Sequence, residues 1–245
     1  MSAPAAFDQF AARYDERWTN TAIGRAQRNQ VWRAIDPLFR PGDRLLDIGC
    51  GTGEDAAHWA ARGIAVEGTD ASPAMIGIAR QRGLTATVLR AEQIGSLKSV
   101  YDGAHSNFGV LNCIEDLPAF AHDLASRVRP GGALAICTMG RFCFWETLYY
   151  ASRFQFGKAF RRISGTVYET PKFGTIRYPT VQALRSAFAD FDLRQWSGIG
   201  LFVPPSYVSL PARLVAMLNA LDRVFARLPL LRALADHRLL IFVRK

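Results

Sequence analysis

The sequence predicts an α/β fold built on a mainly parallel sheet. Three observations carry that expectation. Apolar strand-like runs alternate with helical stretches between residues 44 and 138, a glycine-rich loop joins the first such run to the first helix, and the second run ends on an acid. Strands separated by helices of this length need crossover connections, and crossovers make neighbouring strands parallel.

The first 40 residues come before this pattern. Residues 7–39 carry apolar and aromatic side chains at mixed three- and four-residue spacing and so read as helical, with Gly24 inside and Pro41-Gly42-Asp43 as the stop. Strands are then expected at 44–48, 65–69, 85–89, 102–106 and 133–138, and helices at 54–62, 73–80 and 117–128. Past Met139 the regularity breaks. An aromatic stretch includes a helix at 145–156, and TVYETPKFGTIRYPT has strand character with turns. A helix near 180–189, a strand at 193–196, a helical 211–235 split at Pro229 and the apolar LLIFVRK close the pattern. We read one domain over 1–245: a helical lid at 1–40, a core at 41–140, and substrate-side insertions at 141–179 and 199–236.

Composition narrows the classes. The chain has 245 residues, 49% of them hydrophobic, and a formal charge of +9. That charge suits nucleic acid, an anionic membrane surface or an acidic substrate, but the arginines are spread along the chain, as in a merely arginine-rich protein. The start MSAPAAFDQFAARYDERW lacks the basic beginning and apolar core of a secretion signal, and no run of ~20 apolar residues is present to span a bilayer. A cytoplasmic protein is expected. The four cysteines, Cys50, Cys113, Cys137 and Cys143, form no CxxC pair and no His/Cys cluster, which argues against a metal and for buried thiols.

In LLDIGCGTGEDA, Gly49, Gly51 and Gly53 follow the first strand and precede a helix. Glycine belongs where a chain turns sharply or a ligand must touch backbone, and a loop opening onto a helix presents free N–H groups. The spacing is G-x-G-x-G, not the G-x-G-x-x-G of a dinucleotide site, and Asp47 stands two positions before the first glycine. Asp70, at the end of the second strand, is placed to take both hydroxyls of a ribose.

Through Asp47-Ile48-Gly49-Cys50-Gly51-Thr52-Gly53 the chain resembles the class I S-adenosylmethionine-dependent methyltransferases. TDASPAMI resembles their second motif, YDGAHSNFGVLNCIED their strand-four region, and RPGGALAICT their turn into strand five. The likeness covers residues 40–140 closely. It implies a Rossmann-like, doubly wound and mostly parallel sheet of seven strands with helices on both faces, and S-adenosylmethionine as cofactor. The residues it assigns to cofactor binding are Asp47, Gly49, Cys50, Gly51, Gly53, Asp70, Ala71, Met75, Asn107 and Phe108. Where the family often has an acid after strand three, VLRAEQIG has Arg90. Either Glu92 or the backbone around Ala91 takes the adenine contact. FAARYDERW resembles the N-terminal lid of the ubiquinone/menaquinone-biosynthesis methyltransferases, in which a Tyr-Asp pair closes over the cofactor. Tyr14 is thereby a candidate, as is Arg28 for the methionine carboxylate.

No catalytic triad is visible, and methyl transfer from a sulfonium needs a base only when the acceptor must lose a proton. His105 is the first candidate base, with Tyr168 and Glu169 behind it, against the plain reading of His105 as a packing residue. The acceptor expected is a small molecule, lipophilic or aromatic, because RFCFWETLYYASRFQF supplies Phe142, Phe144, Trp145, Tyr149, Tyr150, Phe154 and Phe156. After strand four the chain reads SNFG, not the Asn/Asp-Pro-Pro-aromatic motif of enzymes acting on base amines, and VPPSY lies too far downstream to replace it. Nucleic acid is thereby disfavoured. The alternatives are an RNA or protein methyltransferase using the basic surface, or a non-catalytic cofactor-binding module. In 210–234, Leu214, Leu218, Leu221, Phe225 and Leu228 recur at helical spacing beside Arg213, Arg223, Arg227 and Arg232. Such a helix lies on a membrane, covers a lipophilic pocket or packs on its own domain.

Overall fold

The computed structural model describes residues 7–164, 167–170 and 174–245, with backbone only at 164 and 167–170. The chain begins with α1 (Ala11–Tyr14), a wide π-type turn over Asp15–Thr19 and α2 (Ala22–Ile35). Thr21 caps α2 by accepting from the Gly24 N–H. Gly24 has no room for a side chain, since a Cβ there would stand 2.0 Å from the Trp18 carbonyl oxygen.

The core alternates as expected: β1 (Arg44–Ile48), α3 (Glu54–Ala60), β2 (Ala65–Asp70), α4 (Pro73–Gln81), β3 (Thr85–Val88), β4 (Tyr101–Ser106), α5 (Leu117–Ala125) and β5 (Val128–Met139). Capping fixes the helix starts. Ser72 accepts from the Met75 N–H with Pro73 behind it, and Asp116 accepts from the Ala119 N–H. Then follow α6 (Phe144–Ala151), α7 (Phe156–Ala159), α8 (Arg161–Ser164), the hairpin β6 (Val167–Thr170) and β7 (Gly174–Arg177), α9 (Val181–Ala187), β8 (Phe191–Ile199), α10 (Ala212–Phe225) and β9 (His237–Arg244).

Seven strands form one sheet in the order β3-β2-β1-β4-β5-β9-β8, in which β9 runs against its neighbours. Side chains alternate between its faces. Leu46, Ala104, Leu134 and Leu240 pack with Phe120 of α5 and Leu184 of α9 on one face. Leu45, Ala135, Leu239 and Ile241 pack with Val31 and Ile35 of α2 and Trp59 of α3 on the other. A sheet buried on both sides needs near-continuous apolar strands, and β1 is buried at four of its five residues.

Three expected elements differ. The helix at 117–128 stops at Ala125, and β5 starts early, at Val128, running through Arg-Pro-Gly-Gly. Its register against β4 shifts between Tyr101 and Gly103, so an irregularity absorbs the expected turn without ending the strand. The helix at 145–156 is two pieces, because Phe154 takes a left-handed φ of 58° and turns the chain. The helical 211–235 is split at Pro229 as expected, into α10 and a short 3-10 turn at Leu231–Leu234.

Candidate functional site

A cavity of about 710 Å³ opens where β1, β2, β4 and β5 end, the position where open α/β sheets take their ligands. Of the sequence candidates, Tyr14, Gly49, Gly51, Asp70, Ala71, Met75, Ala91, Glu92, Asn107 and Phe108 line it. Arg28, Asp47, Cys50, Gly53 and His105 do not; each lies behind the lining and acts on its shape or charge.

The glycine loop works by what it leaves out. A Cβ on Gly49 would come within 2.3 Å of Val110, whereas one on Gly51 meets nothing within 4 Å, so Gly51 is bare backbone facing the cavity. Gly53 has φ of 85° at the start of α3, and a Cβ there would press on Leu84 at 2.3 Å. Asp70 is held by two backbone donors, Gly51 N–H at 2.9 Å and Ser72 N–H at 2.8 Å, one on each carboxylate oxygen. Burial raises its pKa against these donors. The second strand's acid and the loop are therefore joined directly.

Behind the loop lies a buried ionic group. Arg28 pairs with Asp55 at 2.5 Å, and Asp55 also accepts from Asn107 Nδ2 at 2.9 Å and Trp32 Nε1 at 2.7 Å. Burial opposes charge on Asp55, but Arg28 outweighs it and brings the carboxyl down to about 2. Arg28 is also packed by the rings of Trp18 and Phe108, at 4.8 and 5.2 Å. Its Nε and Asp47 Oδ2 have no hydrogen-bond partner among the described residues. Asp47 is buried and pushed well above the usual carboxylate range, first by burial and then by Asp55.

His105 does not stand at the cavity. Its ring is fully buried within β4, 3.7 Å from Asp47, with both nitrogens unpaired among the described residues. Burial lowers its pKa to about 4, and a base needs reach of the proton it removes. The side chains of Tyr168 and Glu169 lie outside the described residues. Cys50 turns away too: a Cβ on Gly68 would meet its Sγ at 2.8 Å, and burial raises its thiol pKa.

The N-terminal segment covers the loop. Asp15 accepts from Thr52 Oγ1 at 2.8 Å and pairs with Arg82, while Asp8 is hydrogen-bonded to Ser72 and to the Ala74 N–H. Tyr14 is brought to the cavity wall, and burial pushes its phenol up to about 12. Trp18 packs edge-on against Phe108, centroids 4.5 Å apart, and Phe108 itself holds a left-handed φ of 54°. Such strain in a non-glycine residue tends to gather at functional sites. After strand three, Arg90, Ala91 and Glu92 all reach the cavity, with Arg90 and Glu92 paired at 3.5 Å.

At the far end the lining is Cys113, Ile114, Met139, Tyr150, Ile176 and Tyr178, with Lys158 and Arg161. Of the aromatics expected from RFCFWETLYYASRFQF, Tyr150 alone is in the lining; Phe144, Phe154 and Phe156 are exposed and Trp145 donates to the Phe202 carbonyl. Asn112, which sequence reasoning passed over, is fully buried and satisfied. It donates to the Arg177 carbonyl at 2.6 Å and accepts from Thr138 Oγ1 and the Met139 N–H, tying the β6–β7 hairpin to the end of β5. A buried cluster of Glu146, Arg161, Arg162 and Asp236 holds α6 and α8 to the start of β9.

Residues 23–197 match the family model described as a methyltransferase domain. The chain belongs to that family. A malonyl-[acyl-carrier protein] O-methyltransferase from Serratia marcescens is 34% identical, over 67% of this chain and 60% of that one. A demethylmenaquinone methyltransferase from Mycobacterium sp. (strain KMS) is 31% identical, over 54% of this chain and 56% of that one. This chain thus matches less than two thirds of either relative's length. In fold it is similar to the N-methyltransferase NodS from Bradyrhizobium japonicum, solved with S-adenosyl-L-homocysteine, at a TM-score of 0.63 and 14% identity over 100% of this chain and 99% of that one.

The residues present fit S-adenosylmethionine, the cofactor that the sequence resemblance implies. Gly51 is the open cradle, Asp70 presents a carboxylate in the cavity wall for a diol, and among the described residues Asp47 Oδ2 and Arg28 Nε are orphaned polar atoms behind the loop.

Proposed function

We propose that this protein transfers a methyl group from S-adenosylmethionine to a small, largely apolar or aromatic acceptor. The observation that carries the reading is the single cavity wall running from Gly51 and Asp70 to Met139, Tyr150, Ile176 and Tyr178. One end fits the cofactor, and the other is mostly apolar, with Lys158 and Arg161 beside it. When bound, S-adenosylmethionine supplies an activated methyl on a sulfonium. The chain's own residues position and enclose: Asp70 for the ribose hydroxyls, Gly49 and Gly51 backbone for the amino-acid tail, Ala91 and Glu92 for the adenine. Phe7, Tyr14 and Phe108 keep water from that end. Holding an acceptor in line is worth several kcal/mol, up to ~7–11 in good cases, so no dedicated base is required.

The test is calorimetry with S-adenosylmethionine. Wild type binds, and Asp70→Ala binds at least a hundredfold more weakly, as expected for losing two hydrogen bonds to a charged group at ~1.5–3 kcal/mol each. No binding by the folded wild type would overturn the reading.

A specific observation favours an acceptor drawn from a lipid bilayer. On α10, Val215, Leu218 and Asp222 face inward, against α2 and the chain at 202–203. Leu214, Met217, Leu221, Val224 and Leu228 face out, Met217 at 56% and Val224 at 64% exposure. Exposed Arg213, Arg223 and Arg227 flank that stripe, the pattern of a helix lying on an anionic surface. Tyr207, just before α10, packs on Tyr150 of the cavity wall, at 6.1 Å between centroids. Among the described residues no helix is long and apolar enough to cross a membrane, so contact would be peripheral. Co-sedimentation with phosphatidylglycerol vesicles, absent with phosphatidylcholine and lost in the Leu221→Asp/Val224→Asp variant, is expected. Equal sedimentation of wild type and variant would remove this reading and leave the methyltransferase one intact.

A further inference from the structure

The cavity's two ends differ in charge, and that difference restricts the acceptor. At the cofactor end the wall carries Asp70 and, as an ion pair 3.5 Å apart, Arg90 and Glu92. At the acceptor end it carries Lys158 and Arg161. The nearby carboxylates are already engaged. Glu146 takes Arg161 at 2.9 Å and Arg162 at 2.8 Å, and Asp236 takes Arg162 from the other side at 2.8 Å. Two buried carboxylates thus balance two guanidiniums, and both acids keep pKa values below the usual range although burial opposes their charge.

Lys158 is left over. Among the described residues it has no carboxylate partner, and its ammonium stands 5.6 Å from the ring centre of Tyr150. It projects from α7 at an exposed position, so it keeps its water and remains able to meet a ligand. Around it are Tyr150, Tyr178 and Ile176, an apolar and phenolic surface on which Lys158 is the cation without a carboxylate partner among the described residues.

Resting on the methyltransferase reading, we propose that the acceptor is an amphiphile bearing an anionic group, a carboxylate or an acidic phenol, and that Lys158 is the residue that selects it. An anion at Lys158 is attracted there and repelled from Asp70, so the molecule enters in one orientation, its apolar body against Met139 and Ile176. The charge serves as an address. Because Lys158 is exposed, the expected preference is modest and falls with salt.

A matched pair of probes tests this: 2-naphthoate and its neutral isostere 2-naphthamide, titrated into protein saturated with S-adenosylhomocysteine. Naphthoate should bind about three- to tenfold more tightly at low salt. Lys158→Met should abolish the preference and Lys158→Arg should retain it. Equal binding of the two probes, binding of neither up to millimolar concentration, or a preference that survives in Lys158→Met would overturn the proposal. Saturation with S-adenosylhomocysteine is measured first in the same samples. Its failure tells against the methyltransferase reading, whereas a lost probe preference with the cofactor product bound tells against this inference alone.

Discussion

The two ends of the cavity are built from the chain in opposite ways. At the cofactor end, the contacts of Asp70 are short-range and made to backbone: it accepts from N–H groups 2 and 19 residues away, and Ser72 caps the helix that follows it. At the acceptor end, contacts are long-range and carried by side chains. Arg162 reaches Asp236 across 74 residues, and Asn112 reaches Arg177 across 65. The first kind of construction tolerates little variation, since a Cβ at Gly49 or Gly53 meets a neighbour at 2.3 Å. The second can be rebuilt with other residues wherever charge and volume balance. One fold can therefore keep its cofactor while its acceptor changes.

The largest effect that would break this comparison is expected at Glu146. It is 2% exposed and holds two arginines at once. Removing one partner of a buried ionic group strands the others, at a cost of about 3–5 kcal/mol. Glu146→Ala should lower stability by that amount in urea unfolding, while S-adenosylmethionine affinity of the remaining folded protein stays within twofold. A parallel loss of cofactor affinity would show that the two ends are one unit.

Legibility in the sequence follows the same division. Asp47, the three glycines and Asp70 sit within one strand–loop–helix–strand unit, so spacing alone brings the loop and Asp70 together. Strand and helix positions in the core were likewise written in local periodicity. The roles of single residues were less legible. Asp55 was passed over, although an acid in the first turn of a helix that faces an arginine-bearing helix is a partial signal. His105 was placed at the site because strand four ends there. It lies one residue before that end, and the period-two alternation of a strand turns it inward. In the aromatic run, the left-handed turn at Phe154 redirects side chains outward, and nothing in the local pattern announces it.

His105 gives the next effect in size. Its folded pKa of about 4 lies below the 6.5 of the unfolded chain, so between those values the unfolded state binds more protons and stability rises with pH. The contribution is complete above about pH 6.5 and is lost as pH falls toward 4, about 3 kcal/mol in all. Asp47, 3.7 Å away and shifted upward, protonates early in the folded state and offsets part of this loss. His105→Gln should therefore gain on wild type as pH falls across that window, measured by urea unfolding at several pH values. A gap between the two proteins that stays constant with pH would mean that His105 is not held neutral by burial.

The smallest effect sharpens the cofactor end. Asp15 joins the N-terminal segment to Thr52 in the glycine loop and to Arg82 on α4, partly exposed in each case. A partly exposed charge-assisted bond contributes about 1 kcal/mol, so Asp15→Ala should release S-adenosylhomocysteine about fivefold faster in stopped-flow, with stability nearly unchanged. The association rate should change little, because Asp15 stands outside the lining and the cavity keeps its shape. If release is unaltered, the segment is packing and not a lid. If both rates fall together, Tyr14 and Trp18 gate entry as well as exit, and the cofactor end is less rigid than its short-range contacts imply.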